Sequence, residues 1–314
     1  MNDVNYFGNY DFVPYHKPKY YTPSEQNLSG YIELKLECLT DTYIGSGFCG
    51  YCIHNNKSVL VRELVKYDGK PTIPGSSLKG VVRTIASAVS DGCLPSPTTE
   101  KDKSHIPFKE NIPFKPISCK VEYDKNKKEY TINTCIICSM FGTMGLGSKV
   151  DFGDFTADSS VSTSITWLEQ QFSPHASADK YNSAGQGKSS GYKFYKTVCR
   201  TSNENKDIYV EVINKGSVFK GRIFFKRLSE KQLELLMFSL GLDNSFTPKI
   251  GGWKNSGLGA IRLSVDNFRL NSGNKSAKEY AAAYEKNVDN DCRERIEKLR
   301  EILSPIDNGD KYEH

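Results

Sequence analysis

An α+β fold is predicted by three observations on the 314-residue chain: four segments whose apolar residues alternate with period two, two whose apolar residues recur at helical spacing, and their order, strand-helix-strand-strand-helix-strand. Residues 30–38 (GYIELKLEC) place Ile32, Leu34, Leu36 and Cys38 on one face and Tyr31, Glu33, Lys35 and Glu37 on the other, the pattern of a half-buried strand. The first helix is predicted over 74–89 (PGSSLKGVVRTIASAV). There Leu78, Val81, Val82, Ile85 and Val89 share a face, and Ser76 or Ser77 caps the start. Residues 208–213 and 218–228 read as two strands joined into a hairpin by Asn214-Lys215-Gly216-Ser217. A capping box from Ser229 to Gln232 opens the second helix through Leu233, Leu236, Met237 and Leu240, and Gly241 ends it. The fourth strand is 257–265 (GLGAIRLSV). This succession is the ferredoxin-like (RRM-like) βαββαβ core, a four-stranded antiparallel sheet backed by two helices.

The core leaves more than half the chain for insertions, at 39–74 after the first strand and at 91–207 after the first helix, and insertions of that length are usually functional. Within the second, 121–132 reads as a small hairpin around Lys125-Asn126-Lys127, and 158–191, rich in Ser, Ala, Gly and Asn, as a mobile projection. One domain is expected over 1–275. A C-terminal acidic helix and tail follow over 276–314, with an amphipathic helix to Leu303. At 38% hydrophobic and 11% aromatic the chain is too apolar for disorder. No apolar run is long enough for a membrane span, and the polar, aromatic first twenty residues lack the apolar stretch of a secretory signal. No membrane partner is expected. The net charge of +5 is slight, but 187–227 alone carries ten basic against three acidic residues.

An odd number of cysteines, nine, without a signal segment argues for a reducing, cytoplasmic setting and for metal ligation over disulfides. Cys135-Ile-Ile-Cys138 has the spacing at which two thiolates reach one tetrahedral Zn2+. Cys93 and Cys119 flank it within the same insertion and complete a four-cysteine structural site. The alternatives are a mixed site drawing on Cys49, Cys52 or His105, and buried thiols without metal.

Three segments have the chemistry of nucleic-acid contact. The helix start Pro74-Gly-Ser76-Ser77, followed one turn apart by Lys79 and Arg83, offers N–H groups, hydroxyls and cations to a phosphate, against the alternative of an ordinary capped helix. The glycine-rich run 251–259, with Gly251, Gly252, Trp253, Lys254 and Gly257, lacks the spacing of a nucleotide-binding loop. It suits close approach of an RNA backbone, or a tight turn into the last strand. In 191–196 (GYKFYK), Lys193, Tyr195 and Lys196 interleave stacking rings with cations, or form an amphipathic strand.

IPGSSLKGVVR, CIICSMFG and KIGGWKNSGLGAIRL on a ferredoxin-like frame resemble the RAMP superfamily of CRISPR effector proteins, specifically the type III backbone subunit. YDFVPYHKP and GYKFYK are similar to the type III-D branch. The resemblance spans about residues 10–265. It implies a subunit that polymerises with further copies of itself along a CRISPR guide RNA and presents it to target RNA, beside other effector subunits. It also implies a zinc site on Cys93, Cys119, Cys135 and Cys138, and a thumb-like hairpin around 150–190.

Cleaving relatives carry an aspartate in the loop after the first strand, shortly before a hydrophobic-Arg-acidic run. Here that run is Leu60-Val61-Arg62-Glu63, and 42–59 contains no Asp or Glu, with Asn55, Asn56 and Lys57 at the matching place. A non-slicing binding subunit is therefore expected, as in type VII systems that delegate cutting to a separate β-CASP-type nuclease. No catalytic residue is assigned. The alternative is a metal-dependent or acid–base endoribonuclease with His54 or His16 as general base.

Overall fold

The computed structural model describes residues 10–25, 27–54, 56–94, 117–124, 128–157, 161–169, 191–197 and 206–306. The chain begins with β1 (Tyr10–Pro14) and β2 (Leu28–Cys38). It continues through two hairpins, β3 (Gly45–His54) with β4 (Lys57–Leu64) and β5 (Lys66–Tyr67) with β6 (Lys70–Ile73), to helix α1 (Gly75–Ala88). A third hairpin, β7 (Lys120–Asp124) with β8 (Glu129–Asn133), leads into the short helix α2 (Ile136–Phe141). Next come β9 (Val150–Phe152), β10 (Phe155–Ala157), β11 (Thr163–Glu169), β12 (Gly191–Tyr195), β13 (Lys206–Ile213) and β14 (Val218–Leu228). Helix α3 (Glu230–Ser239), β15 (Ile261–Leu270), α4 (Ala277–Lys286) and α5 (Asn290–Ile302) complete the fold.

The architecture is mixed α+β, with a central sheet ordered β15-β2-β14, then β10, β6 and β5, and with β9 also paired to β14. All pairings of β2 and β14 are antiparallel. Numbered along the βαββαβ core, the strands lie in the order 4-1-3-2. The second place, however, is filled by β9 and β10 and not by 208–213. The expected hairpin of 208–213 with 218–228 does not form. β13 pairs antiparallel with β11 and parallel with β4 in a separate sheet, β11-β13-β4-β3. The turn between β13 and β14 spends its polar groups on the end of β2, which sends the chain from one sheet to the other. Lys215 N donates to Asp41 Oδ1 (2.8 Å), Gly216 N to the Cys38 carbonyl (2.7 Å), and Cys38 N to the Ser217 carbonyl (2.9 Å).

Three further expectations change. Residues 39–74, read as a loop, hold the β3–β4 and β5–β6 hairpins. Neither Ser76 nor Ser77 caps α1: Pro74 is the N-cap residue without a side-chain bond, and the Asp154 carboxylate takes the Gly75 N–H at 2.8 Å. The single tail helix is two. It breaks where Asn287 donates to the Glu234 carboxylate and Asp289 caps a new start at Cys292 N. The capping box of Ser229 with Gln232 and the 121–132 hairpin form as expected, the turn 125–127 of the latter lying outside the described residues.

One continuous core joins the inward residues of β2 and β14 to α1, α3 and the tail helices, through Leu34, Ile223, Leu78, Leu236, Tyr284 and Leu299. Gly221 on β14 makes room for the buried Phe155, because a Cβ there would lie 2.5 Å from that ring. Gly221→Ala is expected to overpack this contact and cost about 1–3 kcal/mol. An unchanged midpoint in urea unfolding would contradict the packing described.

Candidate metal centre and nucleic-acid interface

Four cysteines from three stretches of one insertion converge. Cys93 lies beyond the end of α1 and Cys119 immediately before β7. Cys135 is the N-cap residue of α2, and Cys138 sits in its first turn. Their sulfurs all lie within 4.8 Å of one another, with Cys93 and Cys138 at 3.5 Å. A tetrahedral metal with bonds of about 2.3 Å needs sulfurs about 3.8 Å apart, so the donor set fits. Backbone N–H groups also point at sulfur: Cys135 N donates to Cys119 Sγ (3.2 Å) and Cys138 N to Cys135 Sγ (3.4 Å).

Hydrogen bonds from the Cys138 and Cys93 thiols pull Cys135 towards thiolate. The same bonds to Cys135 push Cys93 and Cys138 up, and burial pushes Cys119 up to about 12. A dication bound here would displace the protons these sulfurs share. The centre is anchored to the core by α2, whose Ser139 hydroxyl accepts from Gln232 of the α3 capping box (2.7 Å). Cys49 and Cys52 stay on β3 and do not join, and Cys292 is a core thiol bonded to the Val89 carbonyl. His105, the His54 side chain and most of the projection 158–191 lie outside the described residues.

The candidate RNA-contacting residues fall into two neighbourhoods. On α1, Ser76 and Arg83 are exposed and Ser77 is half-buried, while Lys79 donates to Ser148 Oγ (3.0 Å) and the Val150 carbonyl (3.2 Å). Arg83 makes a long contact with the Gly142 carbonyl, at 3.5 Å. This face of α1 therefore looks onto 142–150.

The second neighbourhood joins the other two segments. The leader strand β1 pairs with β12, Tyr10 opposite Tyr195 and Phe12 opposite Lys193. The Lys193 ammonium sits 4.0 Å from the Tyr10 ring and 4.8 Å from the Tyr195 ring, and burial pushes its pKa down to about 8. In the glycine-rich run, Trp253 (φ +48°) stands edge-on to Tyr43 at 5.0 Å, with the Arg62 guanidinium 5.5 Å over its ring. Gly251 has φ +82°, and a Cβ there would lie 2.0 Å from the Tyr43 carbonyl oxygen, so only glycine fits. The backbone that approaches is the chain's own: Gly252 N donates to the Tyr43 carbonyl at 2.9 Å and Gly259 N to the Asp41 carbonyl at 2.9 Å. Lys254 donates to the Gly251 carbonyl, and burial pushes its pKa down.

Sequence reasoning missed the residue that brings these segments together. Lys249, only 4% exposed, donates to the Lys196 carbonyl (2.9 Å) and to the Lys254 carbonyl (2.7 Å), so one buried ammonium holds the end of 191–196 and the middle of the glycine-rich run. Its signal was a single charge between Pro248 and Ile250, in an otherwise apolar approach to Gly251.

A family model, described as RAMP superfamily, matches residues 35–262. The chain belongs to the RAMP superfamily. The match takes in α1, all four clustered cysteines, β12 and the glycine-rich run, and proteins of this superfamily work in CRISPR complexes with RNA and other subunits. No curated protein matches the chain. Among the described residues of this RAMP protein, no helix is long and apolar enough to cross a membrane.

The cysteine geometry generates a direct expectation. The purified protein should hold one divalent metal per chain, lost in Cys135→Ser and retained in Cys49→Ser/Cys52→Ser. Elemental analysis that finds the reverse would disprove the assignment.

Proposed function

We propose that this RAMP protein is the guide-binding backbone subunit of a CRISPR ribonucleoprotein of type III-D or type VII character. It polymerises with copies of itself along the guide RNA and presents that RNA for pairing with target RNA, leaving cutting to a separate nuclease subunit. The observation that carries this reading is the Lys249 clamp, which joins the Lys196 and Lys254 backbones through one ammonium and so supports reading Lys193, Tyr195 and Lys196 together with Gly251, Gly252, Trp253, Lys254 and Gly257 as one RNA-contacting region. Ser76, Ser77, Lys79 and Arg83 extend phosphate contact along α1. Such contacts position RNA without reading its sequence, as a subunit repeated along any guide requires.

The metal is zinc in a structural role, held by Cys93, Cys119, Cys135 and Cys138, since an all-thiolate tetrahedral set leaves no open position for catalysis. Two of the groups that could cut RNA are otherwise engaged. Asp41 accepts the Lys215 N–H and serves the turn between the two sheets. His16 is 2% exposed, donates to the Gly92 carbonyl at 2.9 Å, and burial pushes its pKa down, so it does not reach a ribose hydroxyl.

Lys79→Ala/Arg83→Ala/Lys193→Ala/Lys254→Ala is expected to weaken guide RNA binding at about 150 mM salt by at least tenfold for every guide sequence, with a shallower salt dependence. Wild-type affinity in this variant would reject the surface. A guide-loaded filament given Mg2+ and matched target is expected to leave the target intact until a nuclease partner is added. Regularly spaced cuts abolished by Asp41→Ala or Glu63→Ala would make the protein an endoribonuclease.

A further inference from the structure

Among the described residues, the helices that pack on the central sheet lie on the side of its buried residues. Ile32, Leu34 and Leu36 of β2, and Phe219, Ile223 and Phe225 of β14, turn inward and are buried. Their alternating neighbours form an open face, on which Phe224 is 46% exposed. The register sets Phe224 directly opposite Tyr31, and Tyr31 opposite Arg269 of β15. The next row is Arg222, Glu33 and Asn267.

Three planar groups therefore meet on the two central strands. The Phe224 and Tyr31 ring centroids are 6.0 Å apart, and the Arg222 guanidinium lies 4.8 Å from the Tyr31 ring and 5.5 Å from that of Phe224. Beside them the Asn267 amide reaches the Glu33 carboxylate and, at 3.5 Å, the Tyr31 hydroxyl. A cross-strand aromatic pair alone would stabilise the sheet. It would not require a half-exposed phenyl in mid-sheet beside an arginine plane and an amide edge.

Charge argues for the occupant. Glu33, Glu37 and Asp266 each pair with a cation of the same face, Arg222, Arg262 and Lys35. Lys220, Arg269, Lys226 and Arg227 add positive charge there or at its rim, against one further carboxylate, Asp151. Three of these four cations, Lys220, Lys226 and Arg227, lie in the part of the basic stretch 187–227 that the guide surface leaves unused.

We propose that this open face is a second nucleic-acid site, which takes single-stranded RNA by stacking bases on Phe224, Tyr31 and the Arg222 plane. Stacking tolerates any base and the cations hold the backbone, so the site is sequence-tolerant. It is separate from the Lys193 and Lys254 surface and does not depend on the guide-binding reading.

The test uses the full chain and a single-stranded RNA of about twelve nucleotides, within the site sizes of sequence-independent binders, carrying 4-thiouridine. Photo-cross-links are expected on the β14 peptide containing Phe224 and the β2 peptide containing Tyr31. In the background of the Lys79/Arg83/Lys193/Lys254 alanine variant, Phe224→Ala should lower the remaining affinity about tenfold, as loss of one stacked base would, and Phe224→Trp should retain it. Should Phe224→Ala lower the melting temperature, the exposed change Arg269→Glu supplies the same readout. Cross-links confined to the glycine-rich run and β12, or equal affinity for the Ala and Trp variants, would overturn the proposal and leave the guide surface standing. Loss of a partner subunit from the complex with RNA affinity unchanged would assign the face to a protein and also overturn it.

Discussion

Five residues after β2, from Thr40 to Ile44, hold the architecture together by hydrogen bonding in several directions at once. Thr42 exchanges both backbone bonds with Ile213, closing the second sheet onto the first. The Asp41 carbonyl accepts Gly259 N and its carboxylate accepts Lys215 N, while Thr40 Oγ1 accepts Ala260 N at 3.0 Å. The Tyr43 carbonyl receives the glycine-rich run, and the Ile44 carbonyl receives Val65 from beyond β4. Thr40 and Thr42 are buried, so these polar groups have to be satisfied internally. Moving the segment would release the turn between the sheets, the glycine-rich run and the start of β15 together.

The same economy explains how cations come to sit near the protein interior. Lys249 is buried against carbonyl oxygens, and Lys193 lies between two tyrosine rings that favour its charged form while burial opposes it. Partly desolvated cations interact more strongly with an approaching phosphate than fully hydrated ones, because less water screens them. A surface of this kind keeps positive charge without needing a large net charge on the chain. That accords with a net +5 concentrated in a few stretches.

The cysteine centre solves a different problem. Among the described strands β7 and β8 pair only with each other, and a two-stranded hairpin is marginal in water. Its apolar face, with Tyr123 and Tyr130 at 4.9 Å, remains exposed. Cysteines of the cluster lie on both sides of the hairpin, Cys119 before it and Cys135 after it, at its base, and Cys93 brings the end of α1 to the same cluster.

What the sequence by itself determined is local: the strand of 30–38, the helix of 75–88, the Ser229–Gln232 capping box, and the C-x2-C pair that starts α2. Each follows from side-chain periodicity or a cap completed within four residues, so neighbours in sequence suffice to specify it. The four clustered cysteines were legible for a related reason, since two accompany that pair within one insertion. Tertiary structure alone decided which strand lies beside β14, because β13 and β9–β10 both alternate well enough to fill the place. The backbone donors of 215 and 216 settle it by bonding to 38–41 across the molecule. It also decided that Asp154 and not a serine caps α1, that the tail breaks at Asn287, and that Lys249 joins two distant segments. Each of these outcomes depends on which buried donor finds which acceptor once the chain has closed, and periodicity carries no record of that.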